Sequence, residues 1–189
     1  QTQSRVSVAS GGVQASGGSS APAMTPDGRY VAFVSSATNL TTEATAGVFR
    51  HDRLGGSTIF IAPGSAPTIS DDGQFIAFTS NVDNLVASDA NGLADIFIWS
   101  AAGGTFQRVT PSTGPQHLVQ IGRISGNGQF VAYSAQVGTA APQNIVFDRN
   151  PAFPTPAPLA KLENPAPTLF FGNLGRFAVD LNRPVSAPA

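Results

Sequence analysis

The residues best placed to do chemistry are Asp89, Asn91 and Asp95, which stand at relative positions 1, 3 and 7 of one short stretch, with Gly92 at position 4. Oxygen side chains at that spacing open a calcium-binding loop, so Ca2+ is the one cofactor the sequence offers. No Glu closes the loop, and an Asx-rich turn between two strands accounts for the same residues. The two histidines, His51 and His117, share no pattern, and no Gly-x-Ser-x-Gly elbow presents a serine nucleophile. Asp71 and Asp72 are adjacent carboxylates, but they sit in a Gly-containing turn where Asp is favoured for its geometry. No Gly-x-Gly-x-x-Gly motif cradles a phosphate, and the sole lysine, Lys161, follows Ala160 rather than a glycine. Asn39-Leu40-Thr41 is a formal glycosylation acceptor, although Asn84-Leu85-Val86, its pattern mate, is not. These residues predict a protein without a catalytic centre.

Composition narrows the field further. Net charge is −1 and the ten basic residues are scattered, so no face tracks phosphates and nucleic acid is not expected as a partner. Charged residues make up 11% of the chain, far below the usual share of about 25%. With one lysine and generous Gly and Pro, the balance favours strands and turns, and a hydroxyl-rich, uncharged surface is the pattern of an exported bacterial protein. The absence of cysteine leaves stability to packing alone. No apolar run reaches the roughly 18 residues of a membrane span. An N-terminal Gln without Met reads as a processed, mature chain.

The elements that must position any site repeat along the chain. Ala23 to Phe33, Thr68 to Phe78 and Arg123 to Tyr133 align as a short strand, a Gly turn and a β-branched or aromatic strand, and a decayed copy runs from Phe170 to Asp180. The turn glycines fall at 28, 73, 128 and 175, and a unit of about 45 residues is the length of a propeller blade. Each hairpin is followed by a third strand, Val48 to Asp52, Ile96 to Ser100 or Ile145 to Asp148. A fourth follows a Gly pair in the first two repeats, as Ser57 to Ile61 and Thr105 to Thr110, and a Pro-rich link leads to Leu159 to Leu162 in the third. Apolar residues on both faces of the second strand require a sheet stacked between neighbours. His51 aligns with Trp99, which predicts a half-exposed strand position. The expectation is an all-β chain, a small β-propeller of about four four-stranded blades in one domain, 1–189, with repeats near 20–62, 66–110, 121–163 and 166–189 plus 4–9.

Pro26 to Ser35, Asp95-Ile96-Phe97-Ile98 and Arg108-Val109-Thr110 resemble the TolB-like, WD-like propeller repeats of bacterial periplasmic and secreted proteins, over about residues 4 to 150. The resemblance implies an exported propeller that serves as an interaction platform, and no particular reaction. At the chain ends, Arg5, Val6, Ser7 and Val8 match a fourth strand with no blade before it, while the last repeat lacks its outer strands. The N-terminal strand is therefore expected to complete the last blade, of its own ring or of a neighbouring chain's. Three roles follow: a non-enzymatic scaffold binding a protein or surface glycan, a structural subunit built by terminal strand exchange, or the propeller portion of a larger exported enzyme.

Overall fold

The structure, a computed structural model, describes residues 2–150 apart from 44, 88, 90, 91, 112–115 and 138. The first blade is β1 (Ser19–Met24), β2 (Tyr30–Ser35), β3 (Gly47–Asp52) and β4 (Ser57–Ala62), hydrogen-bonded in chain order. The second is β5 (Ser65–Ile69), β6 (Phe75–Ser80), β7 (Asp95–Ser100) and β8 (Thr105–Arg108), again in order. The third comprises β9 (Gln116–Ile124), β10 (Phe130–Val137) and β11 (Gln143–Asp148). All neighbouring strands are antiparallel. The expected fourth strand at 159–162 and the expected last repeat lie outside the described residues.

The turn between the first two strands of each blade is built by one side-chain device. Thr25 Oγ1 donates to Asp27 Oδ1 and accepts the Tyr30 N–H at 3.0 Å, while Asp27 Oδ1 also takes the Arg29 N–H at 2.9 Å. Ser70 and Asp72 repeat this around Phe75, and Ser125 and Asn127 around Phe130. The hydroxyl and the Asx oxygen thereby satisfy the amides that a tight turn leaves without ladder partners. The glycine that follows the Asx has φ of 71°, 69° and 70° at Gly28, Gly73 and Gly128, a left-handed conformation costly for any side chain.

The first strands carry a second repeated irregularity. Ala21 and Ala66 have φ of 49° and 50°, and each stands before a proline where the β1/β2 and β5/β6 registers slip. Pro22 and Pro67 cannot donate to a ladder, so the strand bulges past them.

Blades stack face to face. The rear face of each, turned toward the next blade, meets that blade's front face. Between the first and second blades, Ala32, Val48, Ile61 and Ala62 meet Ile69, Ile76, Phe78, Phe97 and Trp99. Between the second and third, Ala77, Ile96, Ile98 and Val109 meet Ile124, Val131, Tyr133 and Ala135. Full burial of such side chains stabilises by about 1.5–3 kcal/mol each, which is how strands apolar on both faces are satisfied. At the inner end of each joint an aromatic closes over the next blade's turn: a Cβ on Gly73 would stand 2.3 Å from the Tyr30 ring, and one on Gly128 would stand 2.2 Å from the Phe75 ring.

Candidate functional site

The predicted calcium ligands are drawn to an arginine. Asp89 and Asp95 are buried, and both face the Arg108 guanidinium, Nη1 at 3.1 Å from Asp89 Oδ1 and Nη2 at 2.9 Å from Asp95 Oδ2. Asp95 Oδ1 accepts the Thr110 hydroxyl, and Arg108 Nη2 also reaches the Pro111 carbonyl at 3.0 Å. Burial pushes the Asp89 carboxyl above its ordinary value against the pull of Arg108, with Asp95 adding to the rise. Asn91 lies outside the described residues. The guanidinium thus takes the position a cation would hold between these two carboxylates, and the cluster ties the loop before β7 to the end of β8.

Sequence reasoning missed Arg108, yet a signal was present. Register pairs Phe49 with Phe60 and Phe97 with Arg108, so Gly47, Phe60 and Ala62 of the first blade correspond to Asp95, Arg108 and Thr110 of the second. Three apolar or small residues change together into an acid, a base and a hydroxyl, which marks an interacting set.

The first joint holds its own charged group. The Arg50 guanidinium lies 4.7 Å from the Tyr30 ring centre and 4.9 Å from that of Trp99, and Nη1 donates to the Gly73 carbonyl at 2.9 Å. Desolvation lowers its pKa from the ordinary arginine value, and the two rings supply the negative faces that offset the lost water. Trp99, whose strand position was expected to be half-exposed, is a buried joint residue. On the surface of the first blade, Arg29 grips Asp52 through both carboxylate oxygens, at 3.2 and 3.0 Å, and the Leu54 and Gly55 amides add two bonds at 3.0 Å. Together they hold the Asp52 carboxyl down at about 2.

Arg5, Val6, Ser7 and Val8 were expected to complete the last blade, whose residues lie outside the described ones; what the described residues show is a local hairpin. They form no ladder strand. Gly11 and Gly12, at φ of 93° and 89°, turn the chain so that Val8 bridges Gln14 antiparallel and Ala15 N–H donates to the Ser7 carbonyl at 3.0 Å. Arg5 bonds Ser7 and Gln14 at 3.1 and 2.6 Å. This hairpin sits on the front face of the first blade, where a preceding blade would stack. Thr58 Oγ1 donates to the Val8 carbonyl, the Thr58 N–H donates to Ser10 Oγ at 3.0 Å, and Ala15 packs against the cluster of Phe33, Ala37, Leu40 and Phe49. The residues expected to pair with it, 166–189, lie outside the described residues. The hairpin forms because a Gly-Gly turn offers the segment a partner only a few residues away, at little loop-closure cost.

His51 is buried under the hairpin rather than half-exposed. Its Nδ1 lies 2.8 Å from Thr58 Oγ1. Since that hydroxyl's proton goes to Val8, the imidazole donates from Nδ1, a neutral tautomer consistent with burial lowering its pKa. Asn39 ties the hairpin from the other side, its amide nitrogen donating to the Gln14 carbonyl at 2.8 Å and its oxygen accepting the Ser16 N–H at 2.8 Å. The nitrogen that a glycan would need is thus engaged. Between hairpin and blade runs an open cleft of about 460 Å3 lined by Ala9, Ser10, Asn39, Leu40, Thr41, Thr42 and Thr58. Thr41 Oγ1 is buried there without a hydrogen-bond partner.

Among the described residues, no three His, Asp or Glu side chains gather as a metal-binding group, and no helix is long and apolar enough to cross a membrane. No protein-family model and no curated protein matches the sequence. Solved structures do. TolB from Acinetobacter baumannii superposes with a TM-score of 0.50 at 23% identity over 70% of this chain and 30% of its own. The β-propeller domain of the Trilobed protease from Pyrococcus furiosus gives 0.51 at 14% identity over 70% and 39%. The fold is a TolB-like β-propeller. This TolB-like chain spans less than half the length of these matched structures, and identities this low carry the architecture and not the activity. A putative TolB from Agrobacterium tumefaciens, at 0.47 and 16% identity, covers 70% of the TolB-like chain and 46% of its own.

Proposed function

We propose that this propeller is an exported, non-enzymatic binding scaffold, and that the cleft between its N-terminal hairpin and first blade is the contact surface for a neutral, hydroxylated partner such as a surface glycan. The carrying observation is the chemistry of that cleft: Ser10, Thr41, Thr42 and Thr58 line it with hydroxyls, Asn39 with an amide, and Thr41 Oγ1 is buried with its bonding capacity unused. A polyol offers donors and acceptors in the alternation such a wall needs, whereas a charged ligand would find no counter-ion in the lining. The described ionisable groups that are buried hold the fold together: Asp89 and Asp95 on Arg108, His51 on Thr58.

The experiment is calorimetric titration of the chain with neutral bacterial polysaccharide fragments, beside a screen of peptide, ester and uronide substrates. Binding that Thr41→Val weakens at least tenfold, with no turnover, supports the scaffold. Turnover of any substrate class, lost with a point variant, overturns the non-enzymatic reading.

A further inference from the structure

One residue of β4 joins the N-terminal hairpin to a buried imidazole. The Thr58 hydroxyl gives its proton to the Val8 carbonyl and accepts from His51 Nδ1, 2.8 Å away, while the Thr58 N–H meets Ser10 Oγ at 3.0 Å. His51 is 6% exposed. The Nδ1 proton alone completes this relay, so a second proton would go on Nε2 and place a net charge beneath the hairpin, which burial disfavours. Asp52 and Arg53, the next two residues of the chain, act on that charge in opposite senses. Among the described residues no other element supplies a counter-charge. Arg5, the one charged residue of the hairpin, is exposed and engaged with Ser7 and Gln14, and β4 carries no ionisable side chain. Across β2, His51 pairs with Val31, while Tyr30 and Arg50 lie against each other on the opposite face.

We propose that His51 is a pH-sensitive latch: neutral, it holds the hairpin down through Thr58, and protonated, it lets the hairpin lift and the cleft give up a bound ligand. The release rests on the glycan reading of the cleft, whose walls include Ala9 and Ser10 on the hairpin and Thr58 beneath it. The hairpin is the part that yields, because ladder bonds to β2 and β4 fix β3 on both sides, whereas single side-chain bonds attach the hairpin. The sign follows from the burial. Under the docked hairpin the imidazole binds its proton below the ordinary 6.5, so the docked form carries fewer protons than the lifted one. Docking is therefore strongest above that ordinary value and weakens as pH falls through it, by at most about tenfold per pH unit for one proton.

Hydrogen exchange of the full chain, followed amide by amide by NMR and corrected for the pH dependence of the unprotected rate, reads the latch without any ligand. The reporters are the Thr58 and Ser16 amides, which donate to Ser10 Oγ and Asn39 Oδ1 across the docked hairpin. Their protection relative to the Asp71 amide, which donates to the Gly126 carbonyl in the second joint, is expected to fall at least tenfold from about pH 7.5 to about pH 5. His51→Gln keeps a donor for Thr58 and takes up no proton, and its ratio is expected to stay within twofold over the same range; His51→Asn replaces it if circular dichroism shows that the Gln variant does not fold. A wild-type ratio that does not change overturns the proposal, and so does an equal change in the variant. Titration with the neutral glycan at both pH values separates the two readings. Binding at the higher pH with a hairpin that ignores pH refutes the latch alone, and a responsive hairpin in a chain that binds no glycan refutes the ligand and with it the release.

Discussion

Adding one methyl group at the turn glycines should separate the work of the turn from the work of the blade joint. Gly28, Gly73 and Gly128 share a φ near 70°, so Gly→Ala imposes the same backbone strain at each, about 1–2 kcal/mol. They differ in what the new Cβ meets. At Gly73 and Gly128 it would stand 2.3 and 2.2 Å from ring carbons of Tyr30 and Phe75, forcing the ring or the blade to shift, an overpacking cost of about 1–3 kcal/mol more. At Gly28 the nearest atom is the Arg53 Nη1 at 3.2 Å, on an exposed side chain that can swing aside. The expected loss is therefore about 1–2 kcal/mol for Gly28→Ala and about 2–5 kcal/mol for each of the others. For a chain of this size each kcal/mol lowers Tm by roughly 2–4 °C. Urea denaturation followed by fluorescence of Trp99, which lies in the first joint, gives the free energies, and scanning calorimetry gives Tm. Three equal losses would refute the reasoning, since the aromatic lids would then contribute nothing. The comparison is made at a concentration where the chain is monomeric.

Three further outcomes are expected. Arg108→Met strands the Asp89 and Asp95 carboxylates in the interior and should cost about 3–5 kcal/mol at pH 7; burial already raises the Asp89 pKa, so the orphaned Asp89 takes up a proton and the loss should shrink as pH falls toward 4.5, which urea titrations at the two values will show. Asp52, held at about 2 in the folded state against an ordinary 3.8, adds stability that is present above pH 4 and lost as pH falls toward 2; Arg29→Gln should remove part of it, seen as a flatter acid limb in a stability-against-pH curve. Because Arg108 already stands between Asp89 and Asp95, millimolar Ca2+ should leave Tm unchanged, and a rise of several degrees would show that the loop takes metal after all.

The repeat was legible because its signals are local. A hydroxyl or Thr two residues before an Asx, a Gly next and an aromatic two residues later satisfy one turn within six residues, and the three described copies keep that spacing. The apolar doubling of β2 and β6 equally announced stacking on both faces. What stayed hidden depends on contacts between segments. Arg108 was invisible as a partner of Asp89 because the two are joined only when β8 folds back beside β7. Arg5 to Val8 matched Arg108-Val109-Thr110 by composition, but a pattern of one arginine and two β-branched or hydroxyl residues cannot say which edge it meets. His51 was read as half-exposed because its mate Trp99 was too, and both are buried for one reason: something stacks on the front face of each blade, a hairpin in one case and a blade in the other.

The two internal joints fasten their turns by different means. The Asp71 N–H donates to the Gly126 carbonyl at 2.8 Å across the second joint, whereas the residue in the Asp71 position of the first blade is Pro26, which has no proton to give; there Arg50 crosses to Gly73 instead. A main-chain clasp survives almost any change of side chain, so the second repeat can be copied or followed by a divergent neighbour without losing its fastening. The first repeat is tied through one long cation and a tryptophan on its neighbour, and a single substitution at either residue would loosen that seam while every strand stayed intact.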